Sequence, residues 1–262
     1  MRADVAHLDI NGRLRSLVGY SIGLALYTLV VVAIYPAFKN STSLDTLVHN
    51  DATAAALFGV SGKLTTSGGW LNANIYANFF PLIMLLLTIG YGAASLAGQD
   101  EDGTLGLIVT LPMRRTRVVA QKVVAMAFQA AVIAVAVAVF ALAGRWFDMS
   151  VSLGGVASIS AAVLLLGLDF GLVAMAVGAI ARSKGVAIGT VAALAAASYL
   201  ISSLAPVASW IRPLRYASLF YWSVGNSQIT AGVSLADFAV LILPGVTAGV
   251  FAVFAFSRLD VR

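Results

Sequence analysis

The side chains able to do chemistry are few and stand apart. Asp169 sits in Leu166-Gly167-Leu168-Asp169-Phe170-Gly171, the middle of a long apolar stretch. An acid inside a membrane is costly, and such acids face protein or water rather than lipid. Gln129 lies at a comparable depth in the preceding apolar stretch, so the two are expected to hydrogen-bond if their helices are neighbours. That pair would either line a polar substrate pathway or be a structural acid satisfied by an amide. Two histidines, His7 and His49, are far apart and lack ligand spacing, so no metal site is expected. The chain has no cysteine, which excludes disulfides, thiolate catalysis and cysteine-bound metals. A membrane-embedded enzyme would need several His, Asp, Glu or Ser at one depth, and Asp169 stands nearly alone.

One glycine-rich run imitates a nucleotide site. It reads Gly59-Val60-Ser61-Gly62-Lys63-Leu64. A phosphate-binding loop needs a glycine five residues before the Gly-Lys pair and a Ser or Thr after it. Leu57 and Leu64 occupy those positions, so both tests fail. No ATPase motif and no cofactor are expected in this chain.

The densest cluster is a polar interruption: Asp100-Glu101-Asp102-Gly103-Thr104-Leu105-Gly106-Leu107-Ile108-Val109-Thr110-Leu111-Pro112-Met113-Arg114-Arg115. Three acids favour a helix N-terminus, through capping and the positive end of the dipole. Leu105, Ile108, Val109 and Leu111 would share one face of a short helix over about 103–111. Pro112 would stop it, because the residue before a proline disfavours the helical region. The expected product is a stiff, partly apolar helix between two membrane spans, suited to passing force from a soluble partner. An ordinary amphipathic connector flanked by topology-setting charges would read the same way.

The elements that hold these residues follow from composition. The 262 residues are 60% hydrophobic and 10% charged, against roughly 25% charged in soluble domains. Such a chain must meet lipid. Spanning helices need about 20 mostly apolar residues, and six stretches qualify, at about 17–38, 75–98, 118–143, 154–180, 186–206 and 238–256. Each must be helical, because lipid offers the backbone no partner. The first is too long, and too closely preceded by Asp4 and Asp9, for a cleaved signal peptide. Residues 1–16 mix apolar and charged side chains, as in a short helix lying on the membrane surface or a frayed tail.

The formal net charge of +5 reads as loop charge rather than as a nucleic-acid surface. Eleven Lys and Arg fall on the side of the termini and of residues 99–117, and five on the other. Both termini are therefore expected in the cytoplasm. The chain is one membrane domain over 1–262, with long outer loops at about 39–74 and 207–237, the latter aromatic. An energy-coupling domain is expected on another chain. Three Gly-x-x-x-Gly pairs, Gly19/Gly23, Gly167/Gly171 and Gly245/Gly249, allow close helix approach, either within the bundle or between copies.

Acid-x-Gly-Thr-Leu, an apolar stretch, then Pro-x-x-Arg leading into a span resembles the ABC-2 type permeases, the membrane subunits of ATP-driven exporters. Glu101, Gly103, Thr104, Leu105, Pro112 and Arg115 carry the resemblance, and Lys122 in the next span agrees with it. The six-span layout, the Arg182-Ser183-Lys184-Gly185 turn and the aromatic outer segment after Ala205-Pro206 extend it over nearly the whole chain. The resemblance implies an all-α membrane protein of six transmembrane helices, with a short cytoplasmic coupling helix between the second and third. It also implies that Glu101, Gly103, Thr104, Leu105, Ile108, Leu111, Pro112 and Arg115 form or flank that helix, which docks in a cleft of a soluble ABC ATPase. Two ATPase subunits holding ATP and Mg, and a second permease subunit (a copy or a sister chain), would complete a transporter in the cell membrane. Gly106 departs from the family pattern, where an acid is common, and loosens the expected helix. A six-helix secondary transporter or channel is the alternative. Internal repeats and broken helices would favour it, yet no repeat is evident, and Pro81 and Pro244 fall near the ends of the expected spans.

Overall fold

The computed structural model describes residues 4–41, 63–104, 114–225 and 228–257. Leu105, Ile108, Leu111 and Pro112 of the expected coupling helix lie outside these residues, as does the glycine run at 59–62. All regular structure among the described residues is helical. Six of the helices are long and apolar enough to cross a membrane: Val5–Phe38, Ser67–Glu101, Arg115–Phe147, Leu153–Ala181, Lys184–Leu204 and Leu235–Phe256, here spans 1 to 6. The face where span 1 begins and span 6 ends carries the flanks of the 105–113 segment and the 182–184 turn. We call it the basic face.

Span 4 is the hub, packed against spans 2, 6, 3 and 5, while span 1 leans on span 3. Small residues permit this. A Cβ on Gly92 would collide with the Gly171 backbone carbonyl, and one on Gly171 would lie 2.7 Å from Met126 Sδ and 2.9 Å from Thr88 Cβ. The Gly167/Gly171 pair is thus internal packing between spans 2 and 4. Gly245 and Gly249 likewise face span 4, at Asp169 and Leu172. Gly19 and Gly23 are exposed and have nothing beside them.

Residues 4–16 are not a separate surface helix. One helix runs unbroken through the 35 residues Asp4–Phe38, about 52 Å at about 1.5 Å per residue. The hydrocarbon core is only about 30 Å thick, so the helix projects well beyond it. Packing explains the continuity. Val5 and Ala6 are buried, and the Val5 N–H, an orphan donor of the first turn, is capped by Gln121 Oε1 of span 3 at 3.1 Å.

Span 2 begins at Ser67, well before the expected 75, and it is not a uniform helix. A π-turn at Asn72–Tyr76 precedes the α-helix Phe79–Ala93, and a second follows at Ala94–Gly98. Asn78 leaves helical geometry at φ −129° and ψ −79°. Pro81 therefore lies inside the span, in the first turn of its main α-segment, where a missing N–H costs nothing. The turn between spans 4 and 5 is tight. Arg182 takes a left-handed φ of 51°, and Ser183 caps span 5 through the Val186 N–H.

Candidate functional site

Both flanks of the 105–113 segment are tied to other spans. On the near side, the Gln99 carbonyl accepts Thr104 Oγ1 at 3.3 Å, and Gly103 turns the chain at a φ of 69°. That left-handed geometry suits glycine. Glu101 Oε1 accepts the Lys184 N–H at 2.9 Å. Its carboxylate thus sits on the first turn of span 5, where the helix dipole favours negative charge by about 0.3–1 kcal/mol. On the far side, Arg115 Nη1 reaches the Phe256 carbonyl at 3.4 Å, where span 6 ends. Glu101 and Arg115, expected to form or flank the coupling helix, are therefore bonded to spans 5 and 6.

Deeper, a polar clasp joins three spans. Lys122 of span 3 is fully buried, and its Nζ donates to Gln99 Oε1 of span 2 at 2.8 Å and to Asp9 Oδ2 of span 1 at 3.3 Å. The same Asp9 oxygen accepts the Tyr91 hydroxyl at 2.7 Å, and the Arg13 guanidinium lies 4.9 Å from the Tyr91 ring centre. Tyr91 also belongs to an apolar cluster that includes Ala6, Leu96, Val118, Val119 and Phe256.

Comparison with known proteins bears on this arrangement. The family model described as ABC-2 family transporter protein matches residues 3–261. The chain belongs to the ABC-2 transporter family. It is a multi-pass membrane permease, the membrane component of an ABC transporter rather than its ATPase, and such permeases work with an ATPase subunit. No curated protein sequence matches it.

In this permease Asp169 and Gln129 do not pair, although spans 3 and 4 are neighbours. Gln129 Nε2 donates to the Ala125 carbonyl of its own helix at 3.2 Å. Asp169 turns instead to span 6, against the Gly245 backbone, which hydrogen-bonds it. Only 2% of Asp169 is exposed, and its Oδ2 finds no partner among the described residues. Equal depth along two helices is not equal direction around them, which is why the expected pair fails.

A separate opening lies elsewhere. A cleft of about 570 Å³ separates spans 2 and 5, lined by Phe79, Leu85, Ile89, Ile188, Ala196 and Tyr199 among others. At the end away from the basic face, Tyr199 donates to Asn78 Oδ1 at 2.9 Å. Phe220 of the aromatic segment meets the Tyr199 ring edge-on, with ring centres 5.4 Å apart. The segment itself holds short helical pieces, Arg212–Ala217 and Tyr221–Gly225. In it the Arg215 guanidinium lies 4.8 Å and 5.2 Å from the Tyr216 and Tyr221 ring centres.

Sequence reasoning missed Asp9, Tyr91 and Gln99 as partners of the loop's base. The signal was available for Asp9 and Lys122. Each is a charge inside or beside an apolar run, and each had to find a partner or reach water.

Proposed function

We propose that this permease is the membrane subunit of an ATP-driven exporter, with residues 99–117 docking on a separate ATPase. The observation carrying this reading is that both flanks of the 105–113 segment are bonded to other spans. Glu101 reaches span 5, Arg115 span 6, and Gln99 the Lys122–Asp9 pair of spans 3 and 1. The segment is thereby linked to spans 1, 5 and 6 besides the two spans it joins. ATP and Mg belong to the ATPase, and the basic face, with both termini, is cytoplasmic in the cell membrane. The apolar cleft between spans 2 and 5 supports an amphipathic or lipid-like cargo.

The working unit pairs two permeases with two ATPases. Support comes from faces that lack partners within one copy. Span 5 buries only 17% of its apolar window, and its exposed face carries Gly185, Gly189, Ala193 and Ala197 at four-residue spacing. Gly19 and Gly23 offer a similar face on span 1. Such stripes let helices approach closely in lipid.

The test is ATPase recovery with the purified permease. Apolar side chains buried in a cleft contribute about 1.5–3 kcal/mol each, and an exposed ion pair about 0.2–1 kcal/mol. Leu105→Asp is therefore expected to lose the ATPase where Glu101→Gln retains most of it. Full ATPase recovery with correctly inserted Leu105→Asp would sink the docking assignment.

A further inference from the structure

We propose that Asp9 and Lys122 are positioning residues that tie the projecting end of span 1 to the base of the coupling loop, so that span 1 moves with the loop. The inference rests on the coupling function proposed above and adds a route that the loop motif does not contain. Lys122 is the only cation joined to a carboxylate of another span within the membrane-spanning helices as described. Its ammonium bridges Asp9 of span 1 and Gln99, two residues before Glu101. Tyr91 of span 2 holds the same Asp9 oxygen. The projecting turns of span 1 are fastened a second time one turn earlier, where Gln121 caps the Val5 N–H and Ala6 is buried against the same cluster. Towards its other end span 1 is tied to span 2 by Trp70 Nε1, which donates to the Val31 carbonyl at 2.9 Å, and by Tyr27, which donates to the Asn74 carbonyl at 3.0 Å; at the basic face its polar ties are the clasp and the Val5 cap. The clasp fixes the basic-face end of span 1 relative to the loop, because an ammonium held between two acceptors cannot shift by a helical turn without leaving a buried charge unpaired.

The experiment uses the full chain, purified with the ATPase that the wild-type permease retains. The absence of native cysteine permits a single spectroscopic label at exposed Ser16 on span 1, or at exposed Thr116 beside the loop. In wild type both labels are expected to respond when ATP and Mg are added. The double variant Asp9→Asn with Lys122→Met removes both charges together, so no charge is left buried alone. It is expected to retain the ATPase and the Thr116 response, while the Ser16 response falls by about fivefold or more, the scale of an ordinary coupling free energy. The exchanged pair, Asp9→Lys with Lys122→Asp, is expected to restore the Ser16 response, which a purely structural defect would not predict. An undiminished Ser16 response in the neutral double variant overturns the clasp and leaves the coupling function standing. Absence of any ATPase with the wild type overturns both.

Discussion

The two ends of the Asp9–Lys122 pair are not equivalent, and their removal should not cost the same. Lys122 is wholly buried, whereas the Asp9 side chain is 14% exposed and also holds the Tyr91 hydroxyl. Asp9→Leu leaves an ammonium in the interior with a single amide oxygen, and breaking a buried pair in this way costs about 3–5 kcal/mol. Lys122→Met replaces a buried stem with a side chain of similar volume. It leaves a carboxylate that keeps Tyr91 and reaches water, so the loss is that of a charge-assisted hydrogen bond, about 1.5–3 kcal/mol. The expected gap is about 2 kcal/mol, roughly thirtyfold in the folded-to-unfolded ratio. The assay is unfolding by added SDS in mixed micelles, followed by tryptophan fluorescence. If Lys122→Met proves as damaging as Asp9→Leu, or more so, the burial asymmetry is not what sets the cost.

Three other outcomes follow from the arrangement. A cysteine at Thr110 should be shielded from a reagent confined to the outside of the cell, and labelling there would reverse the topology. Gly171→Leu should disrupt the bundle, since its side chain would collide with Met126 and Thr88, and overpacking costs about 1–3 kcal/mol or more; Gly19→Leu should spare the monomer's melting temperature while shifting its size in detergent towards one copy, and equal loss of fold in both would contradict the packing. Asp169→Asn should insert and assemble as wild type but transport poorly, and normal transport across a wide pH range would exclude an ionisable role.

The six spans were legible because their signal is bulk apolar length, which the bilayer makes decisive. What escaped was direction and detail. Residues 4–16 carry enough charge to suggest a surface helix, but Val5, Ala6 and Asp9 have their partners on spans 2 and 3. Only the packed bundle supplies that information. The irregular span 2 was equally hidden, because its π-turns fall in sequence that differs little from the helix beside them, and Pro81 looked terminal only while the span's start at Ser67 was unseen. Glu101 was singled out by its motif. That its carboxylate reaches the first turn of span 5 depends on Arg182 and Ser183 making so tight a turn at that level. The Asp169–Gln129 expectation failed on rotation, a quantity that a depth count along two helices does not contain.

The bonds around the loop differ in strength, and the difference orders the motion they would permit. The Glu101 contact with span 5 is exposed, and the Arg115 contact with span 6 is long at 3.4 Å. The first can be exchanged for water at a cost of roughly 1 kcal/mol or less. Opening the Lys122–Asp9 pair strands the fully buried Lys122 ammonium, and its rupture costs about 3–5 kcal/mol. A displacement of the loop would therefore carry spans 1, 2 and 3 together and slip first at span 5. The cleft lies on one such boundary, between span 2 of the firm group and span 5 of the loose one. At its far end the cleft is bridged by the Tyr199–Asn78 hydrogen bond, beside the point where span 2 leaves helical geometry. The weak attachment at span 5 and the cleft thus fall along the same seam, so strain applied at the loop would act on the cleft before it acts on the packed core of spans 2 and 4.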